Sequence, residues 1–262
     1  MIIVDEIDKK TVISIIIATY NAEICLENLL KSIVSQKTEK IECIIIDGGS
    51  TDSTNNIISS YKEHIDYWIS ESDNGIYDAW NKGIKKAKGN WIMFLGADDM
   101  LLPGALDAYL KFIDNLTQEY DIISSKLDYV NEVGVHLKYI GEPWNWEKFK
   151  MSRMSFAHPG LLHNANLFIK NGLFDSTYKI CGDSDFFLRT KGNLSASFMN
   201  YVTVKMQVGG MSYSMRAIVE SYKIRKKNHT LSSTKNCFRF MYVCIIFNLS
   251  KLKQKIVYLL HE

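Results

Sequence analysis

Three apolar runs in the first hundred residues end in polar residues. VISIIIA (12–18) runs into Thr19-Tyr20-Asn21, IECIII (41–46) into Asp47-Gly48-Gly49-Ser50, and WIMFL (91–95) into Gly96-Ala97-Asp98-Asp99. In an open α/β sheet, ligands bind outside the carboxyl ends of the strands. These three junctions are therefore where chemistry is expected. An Asp in a loop is most often a turn former or helix cap, and Asp52 is read that way. Adjacent carboxylates at 98 and 99 repel each other, and something must offset that cost. A divalent cation bound to a diphosphate does so. Hard oxygen ligands suit Mn²⁺ or Mg²⁺, which take one or two carboxylates plus substrate phosphates. The first strand is followed by ATYNAE rather than a Gly-x-Gly-x-x-Gly turn, and no Walker sequence occurs. A nucleotide here is held by side chains and a metal, not by a glycine-rich cradle.

The elements that must position these residues follow from periodicity. The β-branched runs at 12–18 and 41–46 predict strands buried on both faces of a parallel sheet. Ile24, Leu26, Leu29, Leu30, Ile33 and Val34 recur at helical spacing between them. Ser50 or Asp52 is placed to cap the next helix, which carries Ile57, Ile58 and Tyr61. Tyr67-Trp68-Ile69 predicts a short third strand. Ile76–Ala87 predicts a helix stopped by Gly89, Trp91–Leu95 a fourth strand, and Pro103 the first turn of another helix. This alternation gives the fold class: α/β, with a doubly wound sheet. The second half has no clean rhythm. Strands are expected at 120–125, 133–140 and within 194–206, and helices at 144–150, 183–191 and 214–227. This half is expected to pack as a substrate-side extension on the same sheet.

The chain has 262 residues, 47% hydrophobic and 23% charged, enough for a sizeable core. Net charge is only +2, so the whole chain is no nucleic-acid polycation. From residue 215 onward, however, ten Lys/Arg face two Glu, against 21 basic and 27 acidic side chains before it. A basic end of this kind suggests an anionic partner such as a lipid surface. Five cysteines without a Cys-x-x-Cys argue for reduced thiols, a cytosolic home and no zinc site. MIIVDEIDKK has neither a basic leader region nor a long apolar run, so no signal peptide is expected, and no stretch is apolar enough to predict a spanning helix.

IIIATYNA, IIIDGGSTDST and ESDNGIYDAWNKGIKKAKGNWIMFLGADD, in this order and spacing, resemble the family 2 glycosyltransferases of the GT-A fold. The resemblance is close over about 11–115 and looser to about 215. It is nearest to bacterial enzymes that build surface polysaccharides. What it implies is inverting transfer of a sugar from a nucleotide-sugar. On this resemblance Thr19 and Tyr20 lie against the nucleoside, Asp47 accepts hydrogen bonds from the base, and Asp73 and Gly75 line the nucleotide pocket. Asp98 lies near the ribose and Asp99 binds Mn²⁺ or Mg²⁺, with Ala97 where a strict Asp-x-Asp has its first Asp. The family's Glu-Asp pair corresponds to Gly182 and Asp183 of KICGDSDFFLR, making Asp183 the general base, with Asp185 as its rival. At a helix start the dipole is expected to lower the pKa of Asp183. His158, Gly209 and Gly210 resemble features near the acceptor or the diphosphate, although a lone His is more often a packing residue and Gly-Gly a plain turn. Trp80, Trp91, Trp144 and Trp146 include sugar-stacking candidates, most aromatics being core.

The expected organisation is a glycosyltransferase domain at 1–228, with its nucleotide-sugar half at 11–115 and acceptor half at 116–228, and a basic amphipathic tail at 229–262. Phe238, Met241, Tyr242, Ile245, Leu249, Leu252, Ile256 and Leu259 recur at helical spacing among Lys235, Arg239, Lys251, Lys253 and Lys255. Such a helix either packs on its own domain or lies on anionic lipid. The expectation is a metal-dependent enzyme, cytoplasmic and peripheral at the inner membrane. Its donor is a UDP-sugar and its acceptor a saccharide on a polyprenyl diphosphate, with no nucleic acid as partner. The rivals are a non-catalytic nucleotide-sugar or glycan-binding protein on the same fold, and a sugar nucleotidyltransferase.

Overall fold

A computed structural model describes residues 11–151, 156 and 158–259, with side chains to 252. The segment 1–10, read above for a leader, lies outside the described residues, as do the side chains of Lys253, Lys255, Ile256 and Leu259. The first half alternates β1 (Ile13–Thr19), α1 (Leu26–Val34), β2 (Ile41–Asp47), α2 (Thr54–Ser60), β3 (Tyr67–Ser70), α3 (Ile76–Ile84) and β4 (Trp91–Gly96). β5 (Met100–Leu101) and α4 (Ala105–Asp114) follow. β1 lies between β2 and β4, parallel to both, and β3 extends the parallel set.

Alternation along β1 sorts its side chains between two cores. Ile13, Ile15 and Ile17 pack with Leu26, Leu29 and Leu30 of α1 on one face. Ile16 packs with Tyr77, Trp80 and Ile84 of α3 on the other. α3 sits close to the sheet because residue 83 is glycine: a Cβ there would stand 2.4 Å from Ile16 Cγ2.

The second half joins the same sheet. Its elements are β6 (Ile122–Val130), β7 (His136–Ile140), α5 (Trp146–Met151), β8 (Leu162–Asn164), α6 (Ala165–Asn171), α7 (Gly182–Arg189), β9 (Ala196–Gln207), α8 (Met215–Lys227) and α9 (Ser233–Leu259). The order is β3-β2-β1-β4-β8-β6-β9-β5, with β7 paired to β6. β8 runs antiparallel to β4 and to β6. The fold is a mixed α/β sheet covered on both faces.

Local expectations differ from the structure at several points. Ser50 does not cap α2. Its hydroxyl goes to Asp47 at 2.5 Å, while Asp52 Oδ1 accepts from Thr54 N at 3.0 Å. Pro103 precedes α4 rather than opening it, because Gly104 takes a left-handed φ of 78° as the N-cap residue. β5, β8 and α6 carry no periodic signal and are found only in three dimensions. The α9 stripe is not the packing face. Tyr222 and Tyr213 meet Phe240 and Phe247 at 4.9 and 5.3 Å, whereas Phe238, Met241, Tyr242, Ile245, Leu249 and Leu252 are exposed.

Candidate active site

The carboxyl ends of β1, β2 and β4 and the start of α3 enclose a cavity of about 670 Å³, within the range of small-molecule sites. Thr19 and Tyr20 line it after β1, Asp73 and Gly75 before α3, and Asp98 after β4. The structure thus brings together most of the residues assigned to the nucleotide. Gly75 has φ 105°, a conformation open to glycine, and begins α3 at the cavity wall. Asp73 Oδ1 accepts from Gly75 N at 2.7 Å, and Oδ2 fills the space a side chain at 48 would need, 2.7 Å from a Cβ built on Gly48.

Asp47 is not part of this wall. It is fully buried, and its oxygens accept from Thr19 Oγ1 at 3.0 Å, Ser50 N at 2.9 Å, Gly49 N at 3.1 Å and Ser70 Oγ at 2.6 Å. Burial alone would raise its pKa, but the bonds from Ser50, Ser70 and Thr19 together hold it below its ordinary value. In the structure this carboxylate ties the 48–50 loop to β1 and β3. Asp73 is the carboxylate that faces the cavity on this side.

The two carboxylates of the Asp98-Asp99 pair face different surroundings. Asp98 is exposed to the cavity, while Asp99 is buried and its Oδ2 accepts from Gly96 N at 2.8 Å, closing the turn. Burial first, and then the charge of Asp98, push Asp99 up to about 7. A Cβ on Gly96 would stand 2.8 Å from Asp98 Oδ1 and 3.4 Å from Asp99 Oδ2, so both carboxylates flank one small volume. Among the described residues no group of three or more His, Cys, Asp or Glu gathers to form a metal cage. An acidic pair open to a cavity suits a cation whose remaining ligands are diphosphate and water. Asp98 faces the cavity and Asp99 lies buried behind it.

Asp183 lies at the start of α7, half-buried. Its Oδ1 accepts from Ser184 N at 2.6 Å and faces the Tyr77 hydroxyl at 3.4 Å. Its pKa is raised to about 6, against the dipole-based expectation. Burial outweighs the lowering by Ser184 N–H and Tyr77, and the charge of Glu220 adds to the rise. Asp185 points elsewhere. It is 1% exposed, pairs with Arg189 Nε at 3.1 Å and accepts from Asn228 Nδ2 at 2.8 Å. Asp185 thus packs α7 on α8, whereas Asp183 is turned toward Tyr77 of α3.

His158 is buried, stacked on Trp80 at 5.2 Å and edge-on to His163 at 5.3 Å, within the aromatic packing. Gly209 and Gly210, with φ 122° and 25°, form a turn whose next residue, Met211, reaches the cavity. Trp80 and Trp91 are buried in the core, Trp144 packs on Phe149 at 4.8 Å, and Trp146 lies against Gly192.

Sequence reading gave no role to Cys25, Ser72 and Tyr77. It placed Asn21 at a strand end, where an Asn is able to adopt a left-handed φ. Asn21 does so at 47°, and its Oδ1 accepts from Thr51 N at 2.9 Å, holding two loops of the cavity rim together.

A parallel half-sheet with a cavity across its carboxyl ends, flanked by carboxylates and extended by antiparallel strands, defines the GT-A class of glycosyltransferase fold. The chain belongs to Glycosyl transferase family 2, whose sequence profile matches residues 14–176. It is 29% identical over 205 residues to an uncharacterized glycosyltransferase of Rickettsia typhi, covering 75% of this chain and 64% of that protein. Among solved structures it is similar to S. aureus TarS 1–349 in complex with UDP-GlcNAc, with a TM-score of 0.68 and 20% identity over 83% of this chain and 65% of that one. It is also similar to the mannosyltransferase PcManGT of Pyrobaculum calidifontis in complex with GDP-Man and Mn²⁺, with a TM-score of 0.60 and 14% identity over 97% and 82%. The chain thus spans under two thirds of the Rickettsia and TarS chains it matches.

Proposed function

We propose that this chain transfers a sugar from a nucleotide-sugar, with a UDP-sugar as the favoured donor, to a saccharide hydroxyl with inversion. The observation that carries this is the pairing of a carboxylate-flanked cavity at the sheet edge with one further carboxylate, Asp183, beside the helix that begins that cavity. TarS holds UDP-GlcNAc on the same fold, which supports the donor class. Thr19, Tyr20, Asp73 and Gly75 form the nucleotide wall. Asp98, backed by Asp99, would hold Mn²⁺ or Mg²⁺, which neutralises charge on the leaving diphosphate.

Asp183 takes the proton of the acceptor hydroxyl as its oxygen attacks the anomeric carbon. The bond to the diphosphate breaks on the opposite face, and no second carboxylate nucleophile is required. With its pKa raised to about 6, Asp183 is ionised at neutral pH yet basic enough to accept a proton.

The acceptor we favour is a lipid-linked saccharide of a bacterial surface polysaccharide, on a polyprenyl diphosphate. The exposed apolar residues of α9, with Lys235, Arg239 and Lys251 on the same helix, support peripheral docking on anionic lipid at the cytoplasmic face of the inner membrane. No helix among the described residues is long and apolar enough to cross a membrane.

The test is a donor screen of purified protein with UDP-, GDP- and dTDP-sugars and Mn²⁺. Release of nucleoside diphosphate that requires a saccharide acceptor supports the reading. Donor binding without turnover would identify a binding protein, and release of pyrophosphate a nucleotidyltransferase.

A further inference from the structure

We infer that Glu220 is a positioning residue for the general base, fixing from α8 the backbone that carries Asp183. The inference rests on reading Asp183 as that base. Glu220 Oε1 accepts from Ile180 N at 2.9 Å and Cys181 N at 2.6 Å, and Oε2 accepts from Lys179 N at 3.2 Å. These are three consecutive N–H groups, and the next residue begins α7. Cys181, the N-cap residue of α7, makes no side-chain cap bond. A carboxylate from another helix therefore does the holding. Charge-assisted bonds of this kind are about twice as strong as neutral ones.

The same loop is gripped from the opposite side. The Tyr77 hydroxyl donates to Ile180 O at 2.9 Å. The peptide groups of Ile180 are thus held through N–H by α8 and through C=O by α3, the helix that begins the donor cavity. Cys181 Sγ adds a contact to Ala217 O at 3.5 Å. Lys179 extends along Gly75 and donates to Asn74 O, seating the loop on the cavity rim. The backbone leading into Asp183 is therefore held by a clamp in which Glu220 supplies the anionic acceptor.

Glu220 also acts through its charge. The titratable groups around Asp183 are Tyr77 on α3, Cys181 and Lys179 in the loop, Glu220 on α8, and Asp185 on α7, the last paired with Arg189. Among these Glu220 raises the Asp183 pKa, whereas the Tyr77 bond lowers it.

The experiment compares the full chain with Glu220→Gln, Glu220→Ala, Asp183→Asn and Glu220→Gln/Asp183→Asn. It measures kcat, donor KM, the pH dependence of kcat and thermal stability. Glu220→Gln keeps an acceptor for Ile180 and Cys181 and serves if Glu220→Ala does not fold. The expected result is a kcat loss of roughly 10- to 100-fold in Glu220→Ala and a smaller one in Glu220→Gln, with donor KM unchanged, an acid limb shifted to lower pH in both, and no further loss when Asp183 is already Asn. An unmoved acid limb, or an equal loss in the Asp183→Asn background, overturns the inference and leaves Glu220 a fold residue. Full transfer by Asp183→Asn alone would overturn the base reading instead, separating the two failures.

Discussion

Gly182 lies against the ring of Tyr77: a Cβ on it would stand 2.9 Å from both Cδ2 and Cε2. A side chain at 182 has no room beside that ring. Tyr77 is itself locked, 3% exposed, edge-on to Trp80 at 5.4 Å and bonded to Ile180 O. The ring occupies the volume a side chain at 182 would need. Gly182→Ala should therefore cost about 1–3 kcal/mol, as overpacking does, and Gly182→Glu more. Urea unfolding measures this, and wild-type midpoints for both variants would show that the ring yields.

The metal prediction separates two adjacent residues. Asp98→Asn should abolish Mn²⁺-dependent stimulation while leaving the fold intact, because Asp98 is exposed to the cavity. Asp99→Asn should retain part of the metal response, because its carboxyl is turned onto Gly96 N–H. Titrating activity with Mn²⁺ after EDTA treatment checks both, and an unchanged rate in EDTA would refute metal dependence altogether.

Asp47 is predicted to act on stability rather than on donor choice. Asp47→Ala leaves the hydroxyls of Thr19, Ser50 and Ser70 and two loop N–H groups without their acceptor. A loss of roughly 3 kcal/mol or more is expected, read as a lower unfolding midpoint. A variant of normal stability with altered preference between UDP- and GDP-sugars would return Asp47 to the nucleobase.

These outcomes mark what was legible in the sequence. The parallel strands were, because long β-branched runs buried on both faces leave an unmistakable pattern. So were residues at their carboxyl ends, since topology puts Thr19 and Asp98 at one edge, while Asp73 was indicated by the resemblance. Side-chain direction was not. Whether Asp47, Asp98 or Asp99 faces the cavity depends on turn geometry within two or three residues. Nor were β5 and β8, whose lengths of two and three residues hold no period. Glu220 follows no motif, and its partners lie 39–41 residues away. For α9 the sequence left open packing on its own domain or lying on lipid, and the rings that meet α8 and the loop before it, Phe240 and Phe247, lie outside the stripe it marked.

Acid should unfold the protein through its buried histidines. His163 is fully buried, and burial depresses its pKa to about 4. The folded form therefore binds fewer protons than the unfolded chain, whose histidines titrate near 6.5. Stability is complete above 6.5 and falls as pH drops toward 4. Between pH 7 and 5 this one group accounts for about 2 kcal/mol. His163→Gln, though less stable at pH 7, should lose about that much less on acidification. Equal acid losses in the two proteins would remove His163 from the account.

The sharpest prediction concerns Asp183. Its carboxyl is raised to about 6, so transfer should rise with pH through that value as the basic form appears, and the limb should be absent without it. Asp183→Asn keeps the size and the acceptor oxygen that Ser184 N–H uses, so the fold and donor binding should survive. Transfer should fall by roughly 10²–10⁴-fold. Asp185→Asn should show the reverse balance: Arg189 loses its anionic partner, stability drops by roughly 3 kcal/mol, and the remaining folded enzyme transfers at near the normal rate. Single-turnover rates on folded protein, with calorimetry beside them, separate the two. If Asp185→Asn abolished transfer while Asp183→Asn spared it, the proton acceptor would be the residue the fold holds in an internal ion pair. The assignment of α7 to the base would then have to be redrawn.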